Sequence, residues 1–242
     1  MNERLIKSTD RVKDHGEVFT PKNIVNLMLD QPEIQAKIQD LPATFLEPAA
    51  GEGAFLVELL HRKMQVALKQ SHSAKEFDEH ALMALASLYG IEYLEDNMEM
   101  LVMNMLVAFR DDYRNFIRQH FVSEPNPKVE KSAQVIIQAN MVHGDTLKKV
   151  DIQGTPLIFS EWTNIPGRVN KVQRTEYTFE AILAGTGPND VVTGARQGEV
   201  EQLDLFSALA PEPSADEQTL TTYAPVKWQD IYLRKVLPKE WN

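Results

Sequence analysis

One stretch limits the fold of this chain more than any other: Phe45-Leu46-Glu47-Pro48-Ala49-Ala50-Gly51-Glu52-Gly53-Ala54-Phe55. Residues 43–48 read as a short strand stopped by proline, which cannot continue a ladder. Residues 49–53 form a tight turn whose two glycines let the backbone approach a ligand closely. Residues 54–69 then carry helical periodicity. A strand that turns sharply into a long helix is the opening of a crossover unit in a parallel sheet.

The rest of the first 184 residues extends that unit. Thr20-Pro21 reads as a helix start, with Thr20 as cap and Pro21 in the first helical position. Ile24, Val25, Met28 and Leu29 give that helix an apolar stripe. Further helices are predicted over 76–88 and 96–120, and strands over 89–92, 133–139 and 156–160. Alternation of this kind predicts an α/β fold, a three-layer sandwich with helices on both faces of a parallel sheet. Little chain remains after the fourth strand, so the sheet is expected to be cut short there. Residues 185–222 are rich in Gly, Pro and acid and are expected to be a disordered linker. In residues 223–242, Trp228, Ile231, Tyr232, Val236 and Leu237 suggest a short amphipathic element that docks on the domain.

Composition closes several routes. The 242-residue chain has no cysteine, which excludes disulfides, thiolate metal sites and cysteine nucleophiles. Its six histidines show no metal-ligand spacing, so no metal is expected. No apolar run of membrane-spanning length occurs, and the charged start resembles no signal peptide, so the expected location is cytoplasmic, with no membrane partner.

In such a sheet ligands sit at the carboxyl ends of the strands. After the first strand comes the glycine turn, opening a helix whose N-terminus faces the ligand. The second strand ends at Glu92, placed to accept from both hydroxyls of a ribose. Gly144-Asp145 follows the third, where the carboxylate could accept from an exocyclic amine. Singly these also read as a turn glycine, a solvated acid and a capping acid. Together, in strand order, they point to a nucleoside-bearing ligand.

These residues resemble the class I, Rossmann-like, AdoMet-dependent DNA methyltransferases that modify the adenine amino group, as in bacterial restriction–modification systems. His15-Gly16-Glu17-Val18-Phe19-Thr20-Pro21 is similar to that family's N-terminal motif, and residues 45–55 to its cofactor loop. The resemblance spans roughly residues 10–160. It implies S-adenosyl-L-methionine as cofactor, held by Phe19, Thr20, Pro21, Glu47, Pro48, Ala49, Gly51, Gly53, Phe55, Glu92 and Asp145. It also implies a bacterial, phage or mobile-element origin.

The fourth strand departs from the family, which places Asn-Pro-Pro-Tyr after it. Here Ser160-Glu161-Trp162-Thr163-Asn164-Ile165-Pro166 follows. In one reading Glu161 accepts the amine hydrogens of a flipped base and Trp162 stacks on it. In another, Asn164 and Pro166 are a stretched remnant of the motif. In the third the loop has lost the chemistry and Trp162 packs. The catalytic candidates are therefore Ser160, Glu161, Trp162, Asn164 and Pro166. Too little chain remains for a target-recognition domain, so a specificity subunit is expected as partner.

Gln202-Leu203-Asp204-Leu205-Phe206 is an apolar cluster in polar chain. It resembles the peptide by which bacterial replication and repair proteins bind the DNA sliding clamp, with Gln202, Leu203, Leu205 and Phe206 as the contacts. Alternatively it folds back onto the domain as an edge strand or short helix. With 25 basic against 35 acidic residues, the chain is expected to bind DNA poorly alone. Part of that acidity lies between residues 197 and 218, where Glu199, Glu201, Asp204, Glu212, Asp216 and Glu217 meet no Lys or Arg. Arg168, Lys171 and Arg174 form a small basic run suited to phosphate contacts, or an ordinary solvated face.

Overall fold

The structure, a computed structural model, describes Ser8, Arg11, Lys13 and residues 20–168, 170–188 and 221–238. Phe19 and residues 189–220 of the expected linker, the peptide at 202–206 among them, lie outside the described residues, while Thr221 and Thr222 at the linker's far end belong to a strand.

Two short helices lead in, α1 (Lys22–Leu29) and α2 (Pro32–Ile38). Pro21 rather than Thr20 stands at the α1 cap, and no side chain caps it. Only Val25 and Leu29 of the expected stripe are buried; Ile24 and Met28 are exposed. The first strand, β1 (Phe45–Glu47), passes through the glycine turn into α3 (Ala54–Lys69). Gly53 holds a φ of 91°, which strains any side-chain-bearing residue, and a Cβ there would stand 2.7 Å from the Leu101 Cδ1 atom and push it aside. Then come α4 (Ala74–Ala86), β2 (Leu88–Glu92) and α5 (Glu95–His120). Ser73 caps α4 by accepting the Glu76 N–H, while Glu76 accepts from His72, a reciprocal cap.

The strand expected at 133–139 is a helix instead, α6 (Pro127–Asn140), and the strand follows it as β3 (Met141–Asp145). Asn126 caps α6 by accepting the Lys128 N–H, and Pro127 takes the first position. The strands β1, β2 and β3 are parallel in the order β1-β2-β3, and the short β4 (Val150–Asp151) adds an antiparallel edge.

The two faces of this sheet are covered differently. Leu88, Gly90 and Met141 face the helices, where Leu56, Leu60, Leu82, Leu85, Leu101 and Ile136 fill the main core. Alternate residues Tyr89, Ile91 and Val142 face the other way, against Leu157, Phe159 and Phe179. That second face is not covered by helices alone. A hairpin of β5 (Ile158–Asn164) and β6 (Lys171–Thr178) lies on it with the short α7 (Phe179–Ala184). Among the described residues β1 pairs on one side only. A cleft of about 430 Å³ opens beside it, lined by Leu46, Tyr89, Glu161 and Tyr177 among others.

The C-terminal segment closes the fold. β7 (Thr221–Tyr223) pairs with β9 (Val236–Pro238), and β8 (Val226–Lys227) joins β6. Between them a 3-10 helix, Trp228–Leu233, packs on α4 and α6 and sends Trp228, Ile231 and Tyr232 into the main core. Leu237 stays exposed.

Candidate functional site

The carboxyl ends of β1, β2 and β3 converge on the glycine turn. Glu92 is the hub. One carboxylate oxygen accepts the Gly51 N–H at 2.7 Å and the other accepts the Leu94 N–H at 2.9 Å. Asn97, on the first turn of α5, stands 3.5 Å from the second oxygen. Each oxygen of a carboxylate has two lone pairs, so the oxygen that accepts only from Gly51 retains one for a hydroxyl, while the other meets both Leu94 and the more distant Asn97. Gly51, at φ 56°, has open space where a side chain would stand.

Neighbouring strands tie into the same turn. The Thr146 hydroxyl donates to the Pro48 carbonyl at 2.6 Å, and Asn104 donates to the Glu52 carbonyl at 2.8 Å. Asp145 accepts the N–H groups of Leu147 and Lys148 and meets the Lys148 ammonium at 3.1 Å. These donors, the Lys148 N–H first, hold its carboxyl below the ordinary range. Glu47 goes the other way, its pKa raised by burial and only partly offset by the Ala49 N–H. Arg11 forms a bidentate pair with Asp96 at 2.8 and 3.0 Å, at the start of α5. Arg11, Asp96, Asn97, Asn104 and Thr146 carry no motif signal in the sequence; only the strand ends bring them here.

This donor set fits a nucleoside-bearing cofactor: a buried acid for a hydroxyl, an open glycine turn, and a second carboxylate one strand further on. Glu47, Pro48, Ala49, Gly51, Gly53, Glu92 and Asp145 come together around the turn. Phe55 is partly buried on α3, and Thr20 and Pro21 lead into α1.

The catalytic candidates are not brought there. Leu157 lies beside Gly144, at the carboxyl end of β3. Further along β5, the Trp162 indole N–H donates to Asn140, which itself donates to the carbonyls of Ala86 and Leu88 at the amino end of β2. β5 therefore runs opposite to β1–β3, and the loop expected over Ser160–Pro166 is a strand as far as Asn164. Ser160 sits midway, its carbonyl accepting from the Tyr89 hydroxyl and its hydroxyl from Arg174. Glu161 faces the cleft beside Tyr177. Asn164 accepts from the Trp228 indole, and Pro166 lies in the turn before β6. Ser160, Glu161, Trp162 and Asn164 thus lie along β5, which carries them from Gly144 toward Asn140.

A parallel sheet with helices on one face, a glycine turn after its first strand and acids closing the next two define a Rossmann-like, class I AdoMet-methyltransferase fold. The N-6 DNA methylase family matches residues 3–179, and the chain belongs to that family, whose members generally bind AdoMet. No curated protein and no solved structure matches the chain. Among the described residues no helix is long and apolar enough to cross a membrane.

Proposed function

We propose that this chain is the AdoMet-binding part of a DNA-modification enzyme that methylates the adenine amino group, acting with a partner subunit. The observation that carries the reading is the doubly accepting Glu92, which couples the glycine turn to the start of α5. Glu92 holds a ribose hydroxyl, Gly51 and Gly53 open the turn, and Asp145 receives the adenine end of the cofactor once Lys148 swings aside. Phe19, Thr20 and Pro21 line its methionine end, with Glu47, Pro48, Ala49 and Phe55 completing the wall. Bound there, the cofactor supplies an electrophilic methyl group for in-line attack by an amine nitrogen. The chain's own residues orient it and keep its pocket dry.

The course of β5 favours a second reading: a module that retains the cofactor fold without the base-holding loop. In that reading it is tethered to the sliding clamp through Gln202, Leu203, Leu205 and Phe206. A tritiated-methyl transfer assay on adenine-containing DNA, with and without candidate specificity subunits, separates the two. Transfer that appears only with a subunit supports the first reading. AdoMet binding with no transfer under any combination sinks it. Clamp affinity unchanged by Leu205→Ala plus Phe206→Ala removes the tether.

A further inference from the structure

The cleft beside β1 joins an apolar surface to an open strand edge. Leu46 and Tyr89, register neighbours across β1 and β2, line it together with Phe159 of the hairpin and Ile182 of α7. Leu46 and Ile182 are large apolar residues left exposed. The backbone above them is open on the same side. The Phe45 N–H donates to the Ser87 carbonyl at 2.9 Å, which aims the polar groups of Phe45 at β2. Successive residues of a strand in a parallel ladder bond to opposite sides. Leu46 therefore turns its N–H and carbonyl toward the free edge. An edge of this kind next to an apolar groove suits an added strand, which gains affinity from main-chain bonds and selectivity from alternate side chains.

The chain carries such a segment close at hand. Gly185 and Thr186, just after α7, line the same cleft, so residues 189–220 set out from its rim. The chain returns at β7, where the Tyr223 carbonyl accepts from Gln173 of β6. Both ends of the interval are thus held on the hairpin side of the molecule. Within the interval Leu203, Leu205 and Phe206 form the densest apolar run. The chain advances 15 residues from 188 to 203 and again from 206 to 221, each step able to span up to about 50 Å. Leu203 and Leu205 are two apart, so in an extended segment both face one way and Asp204 the other. That alternation sets two apolar side chains over Leu46 and Ile182 and turns the Asp204 carboxylate away from Glu161, which also lines the cleft.

We propose that residues 202–206 dock in cis as an added strand on the free edge of β1, with Leu203 and Leu205 in the cleft. The chain's own segment is favoured over a second copy because a tether of this length holds it at an effective concentration on the order of millimolar. While docked, its leucines are withheld from any other partner. Docking of this kind requires neither methyl transfer nor clamp binding.

Hydrogen exchange on the full-length chain, resolved to single amides, compares the wild type with Leu203→Asp/Leu205→Asp. The Leu46 amide and those of 202–206 should be protected in the wild type, and the variant should lose about tenfold or more of the protection at Leu46. Amides of α3 should exchange alike in both proteins, which shows that the variant folds. Disulfide trapping exploits the lack of any native cysteine. Thr44 lines the cleft, whereas Arg110 is exposed on α5. Under mild oxidation Thr44→Cys/Ser207→Cys should close within one chain about tenfold or more faster than Arg110→Cys/Ser207→Cys. Exchange of 202–206 in the wild type at the rate of an unprotected peptide would overturn the proposal. So would a Leu46 amide indifferent to the variant, or equal trapping rates. Disulfide-linked dimers in place of closed monomers would give the cleft to a second copy and overturn docking in cis.

Discussion

Glu92 concentrates the site's logic in one side chain. It is 7% exposed and accepts a backbone N–H at each oxygen. Glu92→Gln puts an amide NH2 against one of two N–H donors, so one backbone donor loses its acceptor. Cofactor affinity measured by calorimetry should fall at least tenfold, roughly 1.4 kcal/mol or more. Lys63 offers a different residue-scale test. Its ammonium is fully buried under α2, donating to the carbonyls of Asp40 and Ala43 at 3.1 and 2.8 Å and lying 5.2 Å from the centre of the Phe45 ring. Burial pushes its pKa down to about 8, against an ordinary 10.5. Between those values the unfolded chain binds more protons than the folded one, so stability rises with pH across that window, on the order of 2–3 kcal/mol. Denaturant titrations from pH 7.5 to 10.5 should show that rise in the wild type and its absence in Lys63→Met. A parallel pH dependence in both proteins would remove the assignment.

At the scale of elements, the C-terminal 3-10 helix is a structural wedge. Trp228 is 2% exposed in the main core and its indole donates to Asn164 at 2.9 Å. Trp228→Ala should cost about 3–5 kcal/mol in chemical denaturation. A loss below 1 kcal/mol would mean that the segment docks weakly. How far such elements could be read in advance depended on what fixes them. Helix α3 was legible to its ends, because Gly53 starts it and its period is plain. Helix α6 was misread as a strand, since Ala133, Val135, Ile136 and Ile137 are all buried and a run buried all round has no amphipathic period. The cap signal in Asn126-Pro127 carried the correct answer. The glycine turn, Glu92 and Asp145 were legible because strand ends converge in any parallel sheet. Strand direction has no local signature, so nothing in Ser160–Pro166 could reveal that β5 runs backward.

For the molecule as a whole, the two faces of the sheet differ in depth. One is backed by a core spanning α1 to α6, the other by Ile91, Leu157, Phe159 and Phe179. Few buried apolar contacts mean a smaller free energy of local opening. Val172 and Trp162 tie the far end of the hairpin to the main core, so hydrogen exchange should release the amides of 158–160 and 176–178 before those of α3 and α5; equal protection would show a single cooperative unit. The closing segment has one more consequence. Residues 221–238 are bound through Trp228, Ile231 and Tyr232 in the core and through one strand pairing, β8 with β6. Covalent continuity between residues 189 and 220 is then dispensable for holding the ends together. A protein cut once in that interval should elute as one particle and release its C-terminal fragment only in denaturant, so the chain can be rebuilt from two separately expressed pieces.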